Sequence, residues 1–335
     1  MTTLLRAAII GCGGISSMHA SNYGRSDSVE LVAAADLSET ALNRFAEHHA
    51  GVKTYLSSEE MLANEKPDIV SVCTPPAFHN APALSVARAG CKGLLLEKPM
   101  ALTLPDADAI INECSRSGVT LAVGHQLRCS PPAATARRLI EAGAIGALER
   151  VWGVCHNAPV QTNATHTIDL MRFLAGDKSA IWVMGSMERG EGTLREGIPS
   201  EDAAVGLFQF QDGPVALIEA GALKPYRGYH HITVDGSDGQ IELSRPDGPA
   251  LRIRSSATGW SWETPHLVDD LNPVDDLVAA IRNGGEPRSS GSQARATLEL
   301  ILALFESART LRRIDLPLAI DFNPLDRVYE HPTNG

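Results

Sequence analysis

At 335 residues, 44% of them hydrophobic and 21% charged, the chain can bury a sizeable core and is long enough for two domains. A formal charge of −11 repels phosphate backbones and anionic lipid, which argues against nucleic acid and membrane partners and for a small-molecule one. The six cysteines are scattered, with no CxxC pair and no His/Cys cluster at metal-ligand spacing, so they read as reduced, buried small residues and no metal is expected. The first residues lead straight into an apolar strand without a basic region or cleavage site, and no run of about 18 apolar residues occurs, so a cytoplasmic location is expected.

Leu4 to Ile10 (LLRAAII) is a nearly continuous apolar run, the pattern of a strand covered on both faces in a parallel sheet. It feeds Gly11-Cys12-Gly13-Gly14-Ile15-Ser16, where the first glycine permits a tight turn and the second lets the backbone approach a pyrophosphate. Ser16 takes the third place, usually glycine or alanine, and is small enough to serve. Val29 to Ala35 (VELVAAA) is a second buried strand, closed by Asp36, 20 residues after Ser16. Strand, glycine turn, helix, strand and acid in this order point to a dinucleotide, with Asp36 accepting from the adenosine ribose hydroxyls. A carboxylate there repels a 2′-phosphate, so NAD is expected over NADP. Capping of the helix that begins near Ser38 is the other use open to Asp36.

The alternation continues through a helix over Ser38 to His49, a short strand at Val52 to Tyr55, a helix from Ser58 and a strand at Asp68 to Cys73. Thr74-Pro75-Pro76 breaks that strand. His79 opens the next helix, where contact with the cofactor ribose and a plain helix start are both open. In Leu95-Leu96-Glu97-Lys98-Pro99 an apolar strand ends in a carboxylate and an ammonium, and a proline stops the ladder. A lysine delivered from that end of a buried strand is aimed at whatever binds above the sheet. Gly11, Gly13, Gly14, Ile15, Asp36, Thr74, Pro75, His79, Glu97 and Lys98 are the cofactor-binding candidates. A helix over Pro105 to Ser117 and a sixth strand at Val119 to Gly124 complete a doubly wound α/β domain over residues 1–128.

Past Ser130-Pro131-Pro132 the pattern changes to a helix at Ala133 to Ala142 and then strands between Gly and Pro turns: Leu148 to His156, Ala180 to Met187, Asp202 to Phe210, Val215 to Ala222, His230 to Val234 and Gln240 to Leu243. Asp235 to Gly239 (DGSDG) reads as a hairpin connection. Two of these strands are apolar or small on both faces, so one face can pack on helices and the other can meet a second subunit. Arg295 to Leu311 reads as a terminal amphipathic helix. A second domain over residues 129–335 follows, with its last segment able to pack back on the first.

Together AAIIGCGGISSMHA, VAAADLSE, VCTPPAFHN, LLLEKPMALTLPDADAII, VGHQLR and THTIDLMRFLAGD resemble the Gfo/Idh/MocA family of sugar and polyol oxidoreductases, from about Leu5 to Asp177. The resemblance implies an N-terminal Rossmann domain and a C-terminal α+β domain on an open, largely antiparallel sheet whose outer face makes a homodimer or homotetramer. It also implies that the lysine of the EKP tripeptide, Lys98, reaches both the nicotinamide ribose and a substrate hydroxyl. The histidine of the H-x-x-D helix, His166, would act as acid or base, with Asp169 three residues on. Family members commonly carry aspartate four residues before that histidine. This chain has Thr162, which can hydrogen-bond a substrate but holds no charge beside His166.

The groups themselves agree with a catalytic reading. A helix beginning near His166 puts His166 and Asp169 on one face, and imidazoles titrate near neutrality. The expected chemistry is removal of a secondary alcohol proton by His166, with Lys98 supporting the alkoxide or sharing the proton. Against it stands a helix cap at His166 and an Asp169–Arg172 pair. Arg128, Asn157, Thr162 and Asn163 are substrate-binding candidates, with a domain-bridging ion pair the alternative for Arg128. Tyr229, His230 and His231 are expected to pack or to line an interface, and Trp260 and Trp262 to cover a sugar or their own subunit. The leading expectation is an NAD-dependent dehydrogenase of a sugar, polyol or sugar acid. A redox-neutral NAD-dependent glycosidase and a non-catalytic NAD-binding regulator are the alternatives.

Overall fold

Strands that are apolar on both faces need cover on both sides of their sheet, and in the computed structural model, which describes residues 3–156, 159–190, 193–195, 197–221, 230–244 and 248–327, that demand organises the first half of the chain. β1 (Leu5–Ile10), β2 (Val29–Ala35), β3 (Lys53–Tyr55), β4 (Ile69–Val72), β5 (Gly93–Leu96) and β6 (Thr120–Val123) pair in parallel in the order β3-β2-β1-β4-β5-β6. The helices between them are α1 (Ser16–Gly24), α2 (Glu39–His48), α3 (Ser58–Glu65), α4 (Asn80–Arg88) and α5 (Leu104–Ser117). Ser38, Ser57 and Thr103 cap α2, α3 and α5 by accepting from backbone amides in their first turns. The strand order reverses between β1 and β4, and a doubly wound sheet takes its ligand outside the carboxyl ends of the strands at such a reversal. Gly11, Thr74 and Lys98 all follow carboxyl ends there.

The second half builds a different sheet. After α6 (Pro131–Glu141) come β7 (Leu148–His156), α7 (Thr165–Leu174), β8 (Ala180–Glu188), the two-residue strands β9 (Leu194–Arg195) and β10 (Ile198–Pro199), β11 (Ala203–Phe210), β12 (Val215–Gly221), β13 (His231–Gly236), β14 (Gly239–Leu243) and β15 (Leu251–Ser255). With β16 (Ile314–Asp315) the larger sheet runs β15-β14-β13-β7-β12-β11-β8-β16, antiparallel except where β7 pairs with β12. One register row, Val183–Phe208–Ala216–Val151–Val234–Ile241–Ile253, is buried throughout and forms the helix-covered face. α7 lies so close to β7 that a Cβ on Gly153 would sit 2.4 Å from Met171 Sδ and 2.7 Å from Thr167 Cγ2. The expected hairpin at residues 235–239 is present as the β13–β14 connection.

The division between units differs from the expected one. Unit one comprises Met1–Gln126 with Leu271–Ala294, and unit two Leu127–Asp270 with Arg295–Gly335. The segment that rejoins the first unit is therefore an internal one carrying α8 (Pro273–Asn283), not the last segment of the chain. α8 fits because Leu277 and Ile281 pack at Gly93 of β5, while Ser26 Oγ donates to Asp275 Oδ1 at 2.5 Å and Asn272 Nδ2 to Asn22 O at 2.8 Å. α9 (Gly291–Thr310) is the expected terminal helix, begun four residues earlier than Arg295. Among the described residues no helix is long and apolar enough to cross a membrane.

Candidate active site

In the first unit, Gly11 has φ +93°, and a Cβ there would lie 2.8 Å from Cys73 C and Thr74 N, so no other residue lets the ends of β1 and β4 sit this close. Ser16 Oγ donates to Gly13 O at 2.6 Å and is buried, so the serine in the third place ties the helix back to the turn. A Cβ built on Gly13 or Gly14 meets nothing within 4 Å, which leaves the rim of the turn open to a pyrophosphate. Asp36 is half-buried; its Oδ2 accepts from Cys12 N at 2.7 Å and its Oδ1 from Ser38 N at 2.8 Å. Two amides use about half of a carboxylate's acceptor capacity and leave the rest for a pair of ribose hydroxyls. The cap of α2 is Ser38 rather than Asp36. Burial, with Asp36 beside it, pushes the Cys12 thiol up to about 12. These residues fit NAD.

His79 is buried, with Nδ1 2.8 Å from Pro99 O and Nε2 2.8 Å from Thr74 O. Its ring clamps the loops after β4 and β5 to the start of α4, which supports the helix-start reading over ribose contact. Thr74 Oγ1 donates to Phe78 O at 3.1 Å, and Pro75 is exposed. Glu97 is 4% exposed and turned inward, with Oε1 2.8 Å from His19 Nε2. His19 Nδ1 in turn lies 2.9 Å from Ser71 Oγ, and Ser71 Oγ 2.6 Å from Tyr23 OH. Sequence reading missed His19, Ser71 and Tyr23. Glu97, taken as a cofactor contact, has its carboxylate in this buried relay instead. Lys98 is half-buried, at the second position past β5.

In the second unit His166 lies in the first turn of α7, after a π-helical turn at Val160–Ala164. It is 8% exposed, and the His230 ring meets its ring edge-on, with centroids 5.5 Å apart and planes at 74°. His230 Nδ1 lies 2.9 Å from Thr167 Oγ1, and its backbone has φ +65°. His230, assigned above to packing or an interface, thus sits against the candidate base; nothing in its strand-edge sequence marked that. Thr162 is buried in the π-turn and Asn163 is exposed, while Asn157 and Tyr229 lie outside the described residues. The π-turn is fixed by Glu201, whose Oε1 accepts from Val160 N and whose carboxyl burial pushes above the usual range.

Two expectations are corrected here. Arg128 is wholly buried, so it does not reach a substrate: its Nε donates to Asp169 Oδ2 at 2.6 Å, Nη2 to Asp169 Oδ1 at 2.9 Å and Nη1 to Asp177 Oδ1 at 2.8 Å. All three residues belong to the second unit, so the pair does not bridge domains. Asp169 takes Arg128 on both oxygens and Thr297 Oγ1 on Oδ1 at 3.0 Å, so its carboxylate is held within this cluster. Arg172 donates to Thr297 Oγ1 at 3.2 Å and feels the charge of Asp169, while burial beside Arg128 lowers its pKa to about 10. Trp262 is covered by Arg252 and Arg254, at 4.1 and 4.8 Å from its ring, within its own chain. All six cysteines are free and buried. Among the described residues no group of three or more His, Cys, Asp or Glu side chains is placed to hold a metal ion.

Two family models match the chain: an oxidoreductase family NAD-binding Rossmann fold over residues 5–125, and an oxidoreductase family C-terminal alpha/beta domain over residues 159–316. The chain is similar to a D-apiose dehydrogenase from Paraburkholderia graminis, at 28% identity over 93% of this chain and 89% of that one. It is also similar to a D-glucoside 3-dehydrogenase from Escherichia coli, at 28% identity over 93% of this chain and 97% of that one. Among solved structures, the WlbA dehydrogenase from Bordetella pertussis in complex with NADH and UDP-GlcNAcA superimposes with a TM-score of 0.79 at 26% identity, covering 94% of this chain and 100% of that one.

Proposed function

This chain belongs to the Gfo/Idh/MocA family of oxidoreductases, and from that premise we propose that it oxidises a secondary alcohol of a sugar, polyol or sugar acid with NAD. The observation that carries this is Lys98, past the carboxyl end of β5 in a unit whose glycine turn is open at Gly13 and whose second strand is followed by Asp36. The sugar dehydrogenases among its relatives support the substrate class. Bound at the turn, NAD would supply the carbon that accepts the hydride. Lys98 supports the charge that grows on the substrate oxygen, and His166 takes the hydroxyl proton. Thr162 offers a hydroxyl, not a carboxylate, so His166 acts without a fixed anion at that position. Asp36 favours NAD over NADP because its charge opposes a 2′-phosphate.

A second copy of the chain covers the open face of the larger sheet. The register row Met184–Leu207–Leu217–Trp152 presents apolar side chains there, Met184 and Trp152 among the exposed ones. Six buried free thiols suit a reducing, cytoplasmic setting.

The test incubates the protein with NAD or NADP and a panel of sugars, polyols, lactones and glycosides, following NADH absorbance and product mass. NADH formation with a two-hydrogen mass loss is expected, with slower turnover on NADP. Lys98→Ala should lower turnover by roughly 100- to 1000-fold while leaving NAD affinity nearly unchanged. Near-normal turnover in that variant, or aglycone release without NADH, would refute the assignment.

A further inference from the structure

The relay under Lys98 has four links. Tyr23 OH to Ser71 Oγ is 2.6 Å, Ser71 Oγ to His19 Nδ1 2.9 Å, His19 Nε2 to Glu97 Oε1 2.8 Å, and the Lys98 backbone N–H donates to Glu97 Oε2 at 3.2 Å. Tyr23, Ser71, His19 and Glu97 are 1, 0, 2 and 4% exposed. With a neutral His19 the donors run in one direction, from phenol to serine to imidazole to carboxylate, and every link is satisfied. Burial works to raise the Glu97 pKa, but the bond from His19 and the charge of Lys98 outweigh it and hold it below the usual range. Burial pushes the Tyr23 phenol and the Cys73 thiol up, so neither competes with Glu97 for the negative charge.

A buried carboxylate is a poor way to stabilise a core, since well-packed apolar side chains do as well or better. The surroundings nonetheless make room for it: a Cβ on Gly124 would lie 2.7 Å from Glu97 Oε1. His19 also stands in the first turn of α1, three residues after Ser16, whose hydroxyl holds Gly13 O. One run of bonds and one helical turn therefore join the glycine turn to the backbone of Lys98.

Granting Lys98 the role given above, we propose that His19 is a positioning residue, which through Glu97 fixes Lys98 relative to the cofactor turn. A group held this way from behind typically loses roughly 10- to 100-fold in rate when its support is removed. The test uses the NAD-loaded enzyme and two variants. His19→Gln keeps a donor near the Nε2 position, on Glu97; His19→Asn reaches only toward Ser71. His19→Asn should lower kcat by about 10- to 100-fold with KM for NAD within about threefold, and His19→Gln should recover most of it. A role confined to stability predicts lower melting temperatures in both variants and no difference between them in kcat.

A second readout needs no substrate. The rate at which acetic anhydride labels Lys98, measured by mass spectrometry against Lys92, should change several-fold in His19→Asn and return in His19→Gln. Should His19→Asn not fold, Glu97→Gln, which keeps the side chain's shape, should show the same change in Lys98 labelling. Wild-type labelling of Lys98 and wild-type kcat in whichever of these variants folds would overturn the proposal. Lys98→Ala separates the two failures: if it is inactive while His19→Asn is normal, only the role of His19 falls, and if it turns over normally the assignment of Lys98 falls first.

Discussion

Under Lys98 in the first unit lie a phenol, a hydroxyl, an imidazole and one carboxylate, whereas in the second Asp169 and Arg172, on the helix that carries His166, cluster with Arg128 and Asp177. The first set is buried and reaches the backbone of Lys98, and the second is buried but for the half-buried Asp177 and fixes the helix that carries His166. They differ in what a single loss does. The relay loses one or two hydrogen bonds with any one residue, each of modest net value. The charged cluster loses its balance at once, because an arginine or aspartate left alone in the interior has no water to turn to. The first arrangement suits fine adjustment of a reacting group, and the second suits holding a helix in place against a sheet.

The largest expected effect breaks the charged cluster. Arg128→Met leaves Asp169 buried with Thr297 and without its bidentate partner, and should cost about 3–5 kcal/mol of stability. Arg172, whose charge already acts on Asp169, stays in the cluster and should bring the cost to the lower end of that range. Urea denaturation measures it. The double variant Arg128→Met with Asp169→Leu should lose less than the two single losses added, because neither charge is then stranded. Additive losses would show that the pair is not coupled.

That contrast was only partly visible in the amino-acid order. The six parallel strands, the glycine turn, Asp36, β7 with its bounds, and the helix carrying His166 all follow from local apolar pattern and local punctuation. The supports behind the reacting groups do not, because His19 and Glu97 are 78 positions apart and Arg128 and Asp169 are 41 apart, so no local spacing joins them. Arg128 followed a strand that ends near a ligand site, and that made a core residue look like a substrate contact. The helix signals at Asn272-Pro273 with Asp275 and Asp276 were present, but which unit a helix joins depends on cavities such as the one at Gly93. Nor does alternation of side chains tell that β7 pairs in parallel with β12, since both registers bury the same face.

Acid and neutral stability sharpen the comparison through two glutamates. Glu97 is held below the usual range by His19 and Lys98 against the opposing effect of burial, so its ionised form is favoured by folding. Its contribution is present above the ordinary glutamate value of about 4.3 and is lost as pH falls through its lower folded value. Glu201 in the second unit is pushed up, chiefly by burial, so folding favours its protonated form. Its contribution is present below about 4.3 and is lost as pH rises through its raised folded value. Melting temperatures between about pH 3.5 and 7 should then show opposite changes. Glu97→Gln should be less stable than wild type at neutrality and converge with it in acid. Glu201→Gln should hold its own in acid and gain on wild type toward neutrality. Parallel curves for the two variants would break the distinction.

The smallest effect lies at the far end of the relay. Tyr23→Phe keeps the ring in its buried place and removes one bond, the 2.6 Å contact with Ser71, while Ser71 can still donate to His19. The expected cost is about 0.5–1.5 kcal/mol, read by urea denaturation, with kcat changed less than about twofold. Ser71→Ala is harsher on stability, since it strips His19 Nδ1 of its buried partner. If the relay acts by positioning, the effect on kcat should grow from Tyr23 through Ser71 to His19 as the change nears Lys98, whatever each costs in stability. A relay that only stabilises the core would instead tie kcat to the loss of stability, and Tyr23→Phe and His19→Gln would fall on one line.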